Sequence, residues 1–345
     1  MSESEQENAG KVIVHKVDVN QIDSKELEKL KELNAIRFSD SPVKTPLDAA
    51  AAFLTMKNYP TAERTKELLK YNPPLNQVED KKGASPLTYA VMFADDVEVV
   101  WLLLDAGADI SKKTKNGWDI FELGVAKSQQ PEIISYILTR FPKNKEGLSQ
   151  LLLKAVANNS NVDVIKVLLD MGADVNYMNE QGVHSLRAVM NNPSLEVIQL
   201  LLDAGAEINA SDHSGITPLM DAAATCKDPR VFEMLLNAGA DPKMSDNNGY
   251  TAFLHAVMFN DSEEVMDILD SVYHDHKQLD IALYLVTRYT TKSSVVGKLM
   301  DMGASLEYKD KDGKSAYDWA QKNSNPVIRE QFDEFVVIHP KKHSI

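Results

Sequence analysis

The chain has 345 residues, of which 43% are hydrophobic and 26% charged, enough apolar content to bury a core. No stretch approaches the roughly 18 uninterrupted apolar residues of a membrane-spanning helix, so we expect no membrane contact. The formal net charge of −14 would repel a phosphate backbone, which argues against nucleic-acid binding.

The first residues and the cysteine content predict the location of the protein. Residues 1–11 are polar and acidic and lack the basic start and apolar run of a secretory signal. Cys226 is the sole cysteine, so no disulfide can form within the chain. Both features predict a cytoplasmic protein, although a protein exported without such a signal would share them.

Residues 1–40 predict an acidic tail followed by a capping helix. The segment Asp23–Glu26 has the pattern of a capping box, which favours a helix start at this point. Two apolar segments near the chain ends, residues 12–14 and 335–338, are strand-like. We expect each to pack locally, and the alternative is pairing with another chain.

A repeat with a period near 33 residues occupies most of the chain. Its clearest element is an apolar run that ends in Gly-Ala, as in LLLDAGADI at 102–110 and LLDAGAEIN at 201–209. The last large apolar residue before this tail recurs every 31 to 35 residues through nine copies. These residues are Leu69, Leu104, Leu138, Leu169, Leu202, Leu236, Leu269, Met300 and Phe332.

A glycine lies about 20 residues upstream of most of these tails and predicts a turn. These glycines are Gly83, Gly117, Gly147, Gly182, Gly215, Gly249 and Gly313. A small polar residue of the kind that caps helix N-termini follows two or three positions later. The predicted caps are Ser85, Asp119, Ser149, Ser185, Thr217, Thr251 and Ser315, with Thr45 in the first copy. Each unit is therefore predicted to contain a turn, a short helix, a break and a second helix.

The motifs GITPLMDAAA at 215–224 and GASPLTYAV at 83–91 resemble the ankyrin pattern G-x-T-P-L-H-x-A-A. GADVN at 172–176 resembles the tail of the same repeat. The chain is thus similar to ankyrin-repeat proteins. The resemblance implies an all-α repeat solenoid of about nine stacked helix-turn-helix units with β-hairpin loops, stabilised mainly by contacts between neighbouring units. The predicted array covers 41–336, and 337–345 form a C-terminal tail.

Two stretches depart from the pattern, near 116–145 and near 270–295. The first has WDIFELGVAK where the family has TPLHLA, and the second lacks both the turn glycine and the cap in KQLDIALYL. We expect the eighth unit to be helical, with an irregular hairpin and either a kink or a longer loop.

The sequence offers little for catalysis. It contains neither G-x-x-x-x-G-K-S/T nor G-x-S-x-G, so we predict no catalytic residue and no cofactor. His274 and His276 form the densest set of metal-ligand types, but no third ligand is evident, and we predict a solvated loop without metal. We interpret Cys226 and His255 as structural.

The family resemblance implies a protein or peptide partner on a concave face formed by hairpin tips and first helices. Positions after the Ala-Val pair and after the turn glycine are expected to face it. The predicted partner-binding residues are Met92, Phe93, Trp118, Met190, Tyr250, Met258 and Phe259. The alternative is that the phenylalanines, Trp118 and the methionines fold back into the core.

The leading prediction is a monomeric, non-catalytic scaffold for protein–protein interaction. One alternative is a regulatory or toxin-like protein with a metal-binding or enzyme-associated role in the eighth repeat. Another is self-assembly through the apolar ends. Under the leading prediction, serine at Met92, Met190 and Met258 should weaken partner binding with little loss of thermal stability.

Overall fold

A computed structural model of the chain describes residues 43, 45–54, 59–191, 193–260 and 262–338. The predicted N-terminal tail and capping helix lie outside these ranges, as do residues 339–345 of the predicted C-terminal tail. The chain divides into two compact units at Ala173 and Asp174.

The first unit contains four successive helix pairs. Short first helices alternate with second helices that carry a buried apolar stripe. The pairs are α1 (Pro46–Ala52) with α2 (Ala62–Leu69), α3 (Pro86–Phe93) with α4 (Val97–Asp105), α5 (Ile120–Lys127) with α6 (Pro131–Arg140), and α7 (Lys145–Asn158) with α8 (Val162–Asp170).

The second unit contains five further pairs with the same alternation. The pairs are α9 (Ser185–Ala188) with α10 (Leu195–Asp203), α11 (Pro218–Thr225) with α12 (Pro229–Asn237), α13 (Ala252–Phe259) with α14 (Glu263–Val272), α15 (His276–Tyr289) with α16 (Ser293–Asp301), and α17 (Ala316–Ala320) with α18 (Pro326–Ile338). A 3₁₀ turn, Val189–Asn191, follows α9 directly.

Within each unit the helices form two layers. Odd-numbered helices pack on their odd-numbered neighbours, and even-numbered helices pack on theirs. Helix α4 shows how the core forms between the layers, because Val99, Val100 and Leu103 share one face and are fully buried. The predicted all-α repeat class is confirmed. No helix in the described ranges has the length and apolar content to cross a membrane.

The predicted caps explain why most first helices begin where they do. The Ser85 hydroxyl accepts a hydrogen bond from the Thr88 N–H at 3.2 Å, and Pro86 fills the first helical position. Thr217 caps α11 in the same way, through the N–H of Met220 at 3.3 Å. Thr251 begins α13 without a side-chain cap, since its hydroxyl is bonded to Gln278 instead.

The turn glycines are required by close approach between successive loops. Gly182 has φ +78°, and a Cβ atom there would lie 2.8 Å from the backbone nitrogen of His213. Gly215 has φ +81° and would place a Cβ 3.0 Å from the nitrogen of Asn247. In the described part of the chain, β structure in these loops is limited to the isolated bridges Ser245–Thr251 and Lys309–Ser315.

The prediction for Gly147 and Ser149 is wrong. Both residues lie inside α7, where the Ser149 hydroxyl donates to the carbonyl of Lys145 at 2.7 Å. The helix starts earlier because Asn144 caps it, accepting from the N–H of Gly147 at 2.8 Å. The loop between α6 and α7 is therefore a short connection without a turn glycine.

The eighth unit is helical as expected, but the longer loop is not found. Only residues 273–275 separate α14 from α15. Asp275 caps α15 through the N–H of Lys277 at 2.9 Å, so the helix forms without the usual turn. The strand-like interpretation of 335–338 is also wrong, because these residues continue α18, whose inner face buries Ile328 and Phe332.

Buried asparagines join the ends of successive first helices. The Asn260 amide donates to the carbonyls of Ala223 at 3.1 Å and Cys226 at 2.6 Å. Its oxygen accepts from the N–H of Ser262 at 3.1 Å. Asn159 makes the same two-carbonyl contact in the first unit, and Asn323 makes it further along the second. Each asparagine satisfies backbone groups that the helix end leaves open.

Candidate partner-binding surface

Tyr250, in the loop before helix α13, and His255 and Phe259 on that helix form a row of aromatic rings that ends in solvent. Tyr250 and His255 have ring centroids 6.4 Å apart, and those of His255 and Phe259 are 5.9 Å apart. His255 is buried, and its Nε2 lies 3.1 Å from a carboxylate oxygen of Asp246. Phe259 is 61% exposed. The row is therefore anchored at its base and open at its end.

The helical register produces this arrangement. His255 and Phe259 are four residues apart and so lie on one face of α13. Ala256 and Val257 of the same helix are fully buried. Met258 is half-buried beside Phe259. In α13 the predicted partner-facing positions after the Ala-Val pair, Met258 and Phe259, are therefore more exposed than the pair itself.

The hydrogen bonds at the base of the row favour the ionised form of the Asp246 carboxyl group. Burial opposes ionisation of its carboxyl group. The N–H groups of Tyr250 and Asn248, together with His255, outweigh burial and lower the pKa of Asp246. A charged carboxylate therefore holds the loop and the His255 ring in one arrangement.

Tyr289 extends the exposed aromatic surface and is absent from the predicted site. It ends α15, which packs on α13, and is 59% exposed. Burial, followed by the charge interaction with Tyr289, raises the pKa of Tyr250, consistent with the two rings lying near each other. The sequence register missed Tyr289 because its unit has no turn glycine from which to count. Counting back from α16 would have found it.

The predicted residues of the first unit are covered more than those on α13. Phe93 is half-buried, with its ring centroid 5.7 Å from that of Tyr89. Together with Met92, Leu47 and Tyr59, it packs against a buried cluster around Ala50 and Ala84. This matches the alternative in which the phenylalanine turns toward its neighbours.

Trp118 is half-buried under a lysine from the next helix pair. The Lys154 ammonium group lies 4.4 Å from the centroid of the indole ring and 3.5 Å from a carboxylate oxygen of Glu122. A cation held over an indole face attracts the ring electrostatically. Any partner that contacts Trp118 must share it with Lys154.

Met190 does not belong to the exposed surface, which corrects the sequence-based prediction. Its side chain is only 2% exposed. Helix α9 has four residues and continues as a 3₁₀ turn, which advances about 120° per residue instead of 100°. This tighter winding turns Met190 inward, whereas Met92 and Met258 lie on regular helices and stay half-buried.

The irregular eighth unit does not assemble a metal centre from its histidines. His274 Nδ1 lies 2.8 Å from both carboxylate oxygens of Asp270, and its ring centroid is 4.7 Å from that of His276. No group of three metal-ligating side chains occurs among the residues that the structure describes. Burial raises the pKa of the Cys226 thiol, which disfavours the reactive thiolate.

Comparison with known proteins identifies the repeats. The family model described as ankyrin repeats (3 copies) matches residues 185–280, and that of the single ankyrin repeat matches 82–115 and 151–180. The chain contains ankyrin repeats in these ranges. Ankyrin repeats generally mediate protein–protein interaction and are typically found in non-catalytic scaffolds.

Two relatives share parts of the ankyrin array. An ankyrin repeat protein of Rickettsia bellii (strain RML369-C) is 33% identical over 96 residues, which cover 28% of this chain and 13% of the relative. Alpha-latrocrustotoxin-Lt1a of Latrodectus tredecimguttatus is 28% identical over 136 residues, covering 37% of this chain and 9% of the toxin. The matches thus span a small part of each relative's length.

Proposed function

We propose that this ankyrin-repeat protein is a non-catalytic scaffold that binds a protein or peptide partner on the first-helix layer of its second unit. The exposure of Phe259 at the end of an anchored aromatic row carries the proposal. Tyr250, Met258 and Tyr289 complete the surface. In the proposal, these residues form the concave face that the ankyrin resemblance implies.

Leaving large aromatic rings in water costs free energy. Phe259 and Tyr289 are each more than half exposed, although they end neighbouring helices of one layer. Aromatic residues and methionines are enriched at protein interfaces, where they supply large contact areas with little loss of conformational freedom. A partner that covers both rings would recover the burial free energy that the isolated chain forgoes.

Charge favours a basic partner around this apolar centre. Glu263 and Glu264 begin α14 shortly after Phe259, and both are exposed. The whole chain carries a formal charge of −14. An acidic rim of this kind speeds the encounter with a positively charged partner, especially at low salt.

Affinity capture from the native cell tests the proposal. The full chain is compared with Met258→Ser/Phe259→Ser and with Trp101→Ser. The last removes an aromatic residue that is 46% exposed on second helix α4. We expect the Met258/Phe259 variant to lose the captured partner and the Trp101 variant to retain it, with both folded by circular dichroism. Equal recovery from both variants would refute the proposed surface.

Location and assembly belong to the same proposal. We propose a cytoplasmic monomer with a protein partner, no cofactor, no nucleic-acid ligand and no membrane contact. Supporting features are the single cysteine and the strongly acidic charge. Light scattering on the purified chain over a range of concentrations checks the monomer, and a concentration-dependent rise in mass would contradict it.

A further inference from the structure

Three cations surround one indole ring in the last helix pairs of this acidic protein. The Arg288 guanidinium carbon lies 4.4 Å from the Trp319 ring centroid. The ammonium groups of Lys314 and Lys322 lie 5.1 and 5.2 Å from the same centroid. The Lys314 ammonium group, through its direct contact with Lys322, lowers the pKa of Lys322. The cluster is thus a concentration of positive charge that repels itself.

The nearest carboxylates are already engaged elsewhere. Asp310 lies 3.7 Å from Arg288, but it also accepts hydrogen bonds from the N–H groups of Asp312 and Lys314, each at 2.9 Å. Asp318 forms a capping box with Ser315 and accepts from the Ser315 N–H at 2.8 Å; its charge acts on Lys314 and Lys322 without an ion pair to either. Among the described residues, no carboxylate forms an ion pair with Lys314 or Lys322. Two of the three positive charges therefore lack a counter-charge in direct contact.

A cleft of about 510 Å³ opens beside the cations and contains further polar groups. Its lining includes Arg288 and Lys322, together with Lys292 and the hydroxyl residues Thr290, Thr291 and Ser324. The volume is within the usual range for small-molecule sites. It can admit a phosphorylated side chain with part of its backbone.

The walls of the cleft are held in place from both sides. The Asn323 amide donates to the carbonyls of Thr287 at 2.7 Å and Thr290 at 2.8 Å. The Asn325 amide donates to the carbonyl of Thr291 at 2.8 Å. These bonds tie the turn after α15 to the turn after α17, so the cations are presented on a fixed frame. Fixing such a frame in advance reduces the entropy lost on binding.

We propose that this cleft binds a phosphorylated serine or threonine of a peptide segment. Arg288 and Lys322, which line the cleft, are the anion-binding groups, and Lys314, over the same indole ring, adds positive charge beside them. A phosphate dianion concentrates charge and accepts several hydrogen bonds, which suits converging cations and hydroxyl groups. A long acidic segment suits the site less, because the rest of a chain with net charge −14 would repel it.

The inference rests on the proposed function only in taking a peptide as the carrier of the phosphate. Tyr289 belongs to the proposed partner surface and also lines the cleft. The anion-binding groups and Phe259 are different residues, so separate substitutions let the two claims fail separately. A phosphoserine flanked by a few glycines can fill the cleft without depending on the aromatic row.

Calorimetric titration of the full chain tests the site. The probes are a short glycine-flanked phosphoserine peptide, its unphosphorylated form, its glutamate form and inorganic phosphate. The variants are Lys314→Gln/Lys322→Gln and Lys314→Glu/Lys322→Glu. The matched control is Lys81→Glu/Lys82→Glu, which places the same charge change on exposed lysines of the first unit.

We expect measurable binding of the phosphopeptide alone, weakened by roughly tenfold or more in both cleft variants and unchanged in the control. Because the lysines repel each other, the glutamine variant should keep its melting temperature, which a purely structural role would lower. Failure of the phosphopeptide to bind, equal loss in the control, or equal binding of inorganic phosphate or the glutamate peptide would overturn the proposal. Normal phosphopeptide binding by Phe259→Ser would separate this site from the proposed partner surface.

Discussion

The tetrapeptide AVMF occurs twice in this chain, at 90–93 and at 256–259, and its last residue meets two different environments. In both copies Ala and Val are fully buried and Met is half-buried. Phe93 packs beside other large side chains, whereas Phe259 is 61% exposed. The same local sequence in the same repeat register therefore serves packing in one unit and leaves a free ring in the other.

The difference comes from the residues that each copy meets. Phe93 packs against the same buried cluster as Leu47 and Tyr59, which belong to the preceding repeat. The first helix of the preceding repeat, α11, ends in Ala223, Ala224 and Thr225, which are too short to cover a ring. The repeat register thus determines that Ala and Val of each tetrapeptide are buried. The side chains of the preceding repeat determine how exposed the phenylalanine is.

The residue after each tetrapeptide sharpens this contrast. Asn260 follows Phe259 and bonds two carbonyls of the preceding unit, whereas Ala94 follows Phe93. Asn260→Ala would leave two buried carbonyls and one N–H without partners, so we expect a loss of about 4 kcal/mol in unfolding free energy. Denaturant titration measures it. The control is Asn237→Ala at an exposed helix end, and a loss no larger than in this control would contradict the anchoring role.

The methionines provide a second contrast within the repeats. Met190→Ala should cost about 3 kcal/mol, because truncating a buried methionine leaves a cavity. Met258→Ala should cost about 1 kcal/mol or less, since its side chain is already half-exposed. Differential scanning calorimetry of the two variants checks this order. Equal losses of stability in the two variants would mean that Met190 and Met258 are buried to the same extent, which would contradict the structure.

The residue four positions before the phenylalanine is Tyr89 in the first copy and His255 in the second. We therefore expect the stability of the two regions to respond differently to alkaline pH. Burial, together with the charge and hydrogen bond of Asp80, raises the pKa of Tyr89 to about 12. Stability that depends on neutral Tyr89 should be fully present below pH 10, its unfolded pKa, and lost as pH rises through 12.

Tyr89→Phe tests this pH dependence. It should cost about 1 kcal/mol at neutral pH, through the lost hydrogen bond to Asp80. The same variant should lose less stability than the parent between pH 10 and 12. Thermal unfolding across this range provides the measurement, with His255→Gln as the matched substitution in the second unit. An unchanged alkaline slope in Tyr89→Phe would disprove the assignment.

The sequence was sufficient for the fold and for part of the candidate site. Period, turn glycines and caps predicted the helix pairs, because these signals act within a few residues of the chain. Gly147 was misassigned because a glycine can also lie inside a helix that Asn144 caps. Met190 was misjudged because the short α9 and its 3₁₀ turn decide its exposure, and the sequence pattern does not encode that helix length. Tyr289 was missed because its repeat has no turn glycine from which to count.

The unfolding free energies of Phe93→Ser and Phe259→Ser, measured side by side, test the central claim most directly. If the preceding repeat determines whether the phenylalanine is covered, Phe93→Ser should lower the unfolding free energy by about 2 kcal/mol through lost packing. Phe259→Ser should change stability by no more than about 0.5 kcal/mol, as expected for an exposed side chain. Equal losses of unfolding free energy in the two variants would contradict this explanation and indicate that Phe259 is buried as much as Phe93.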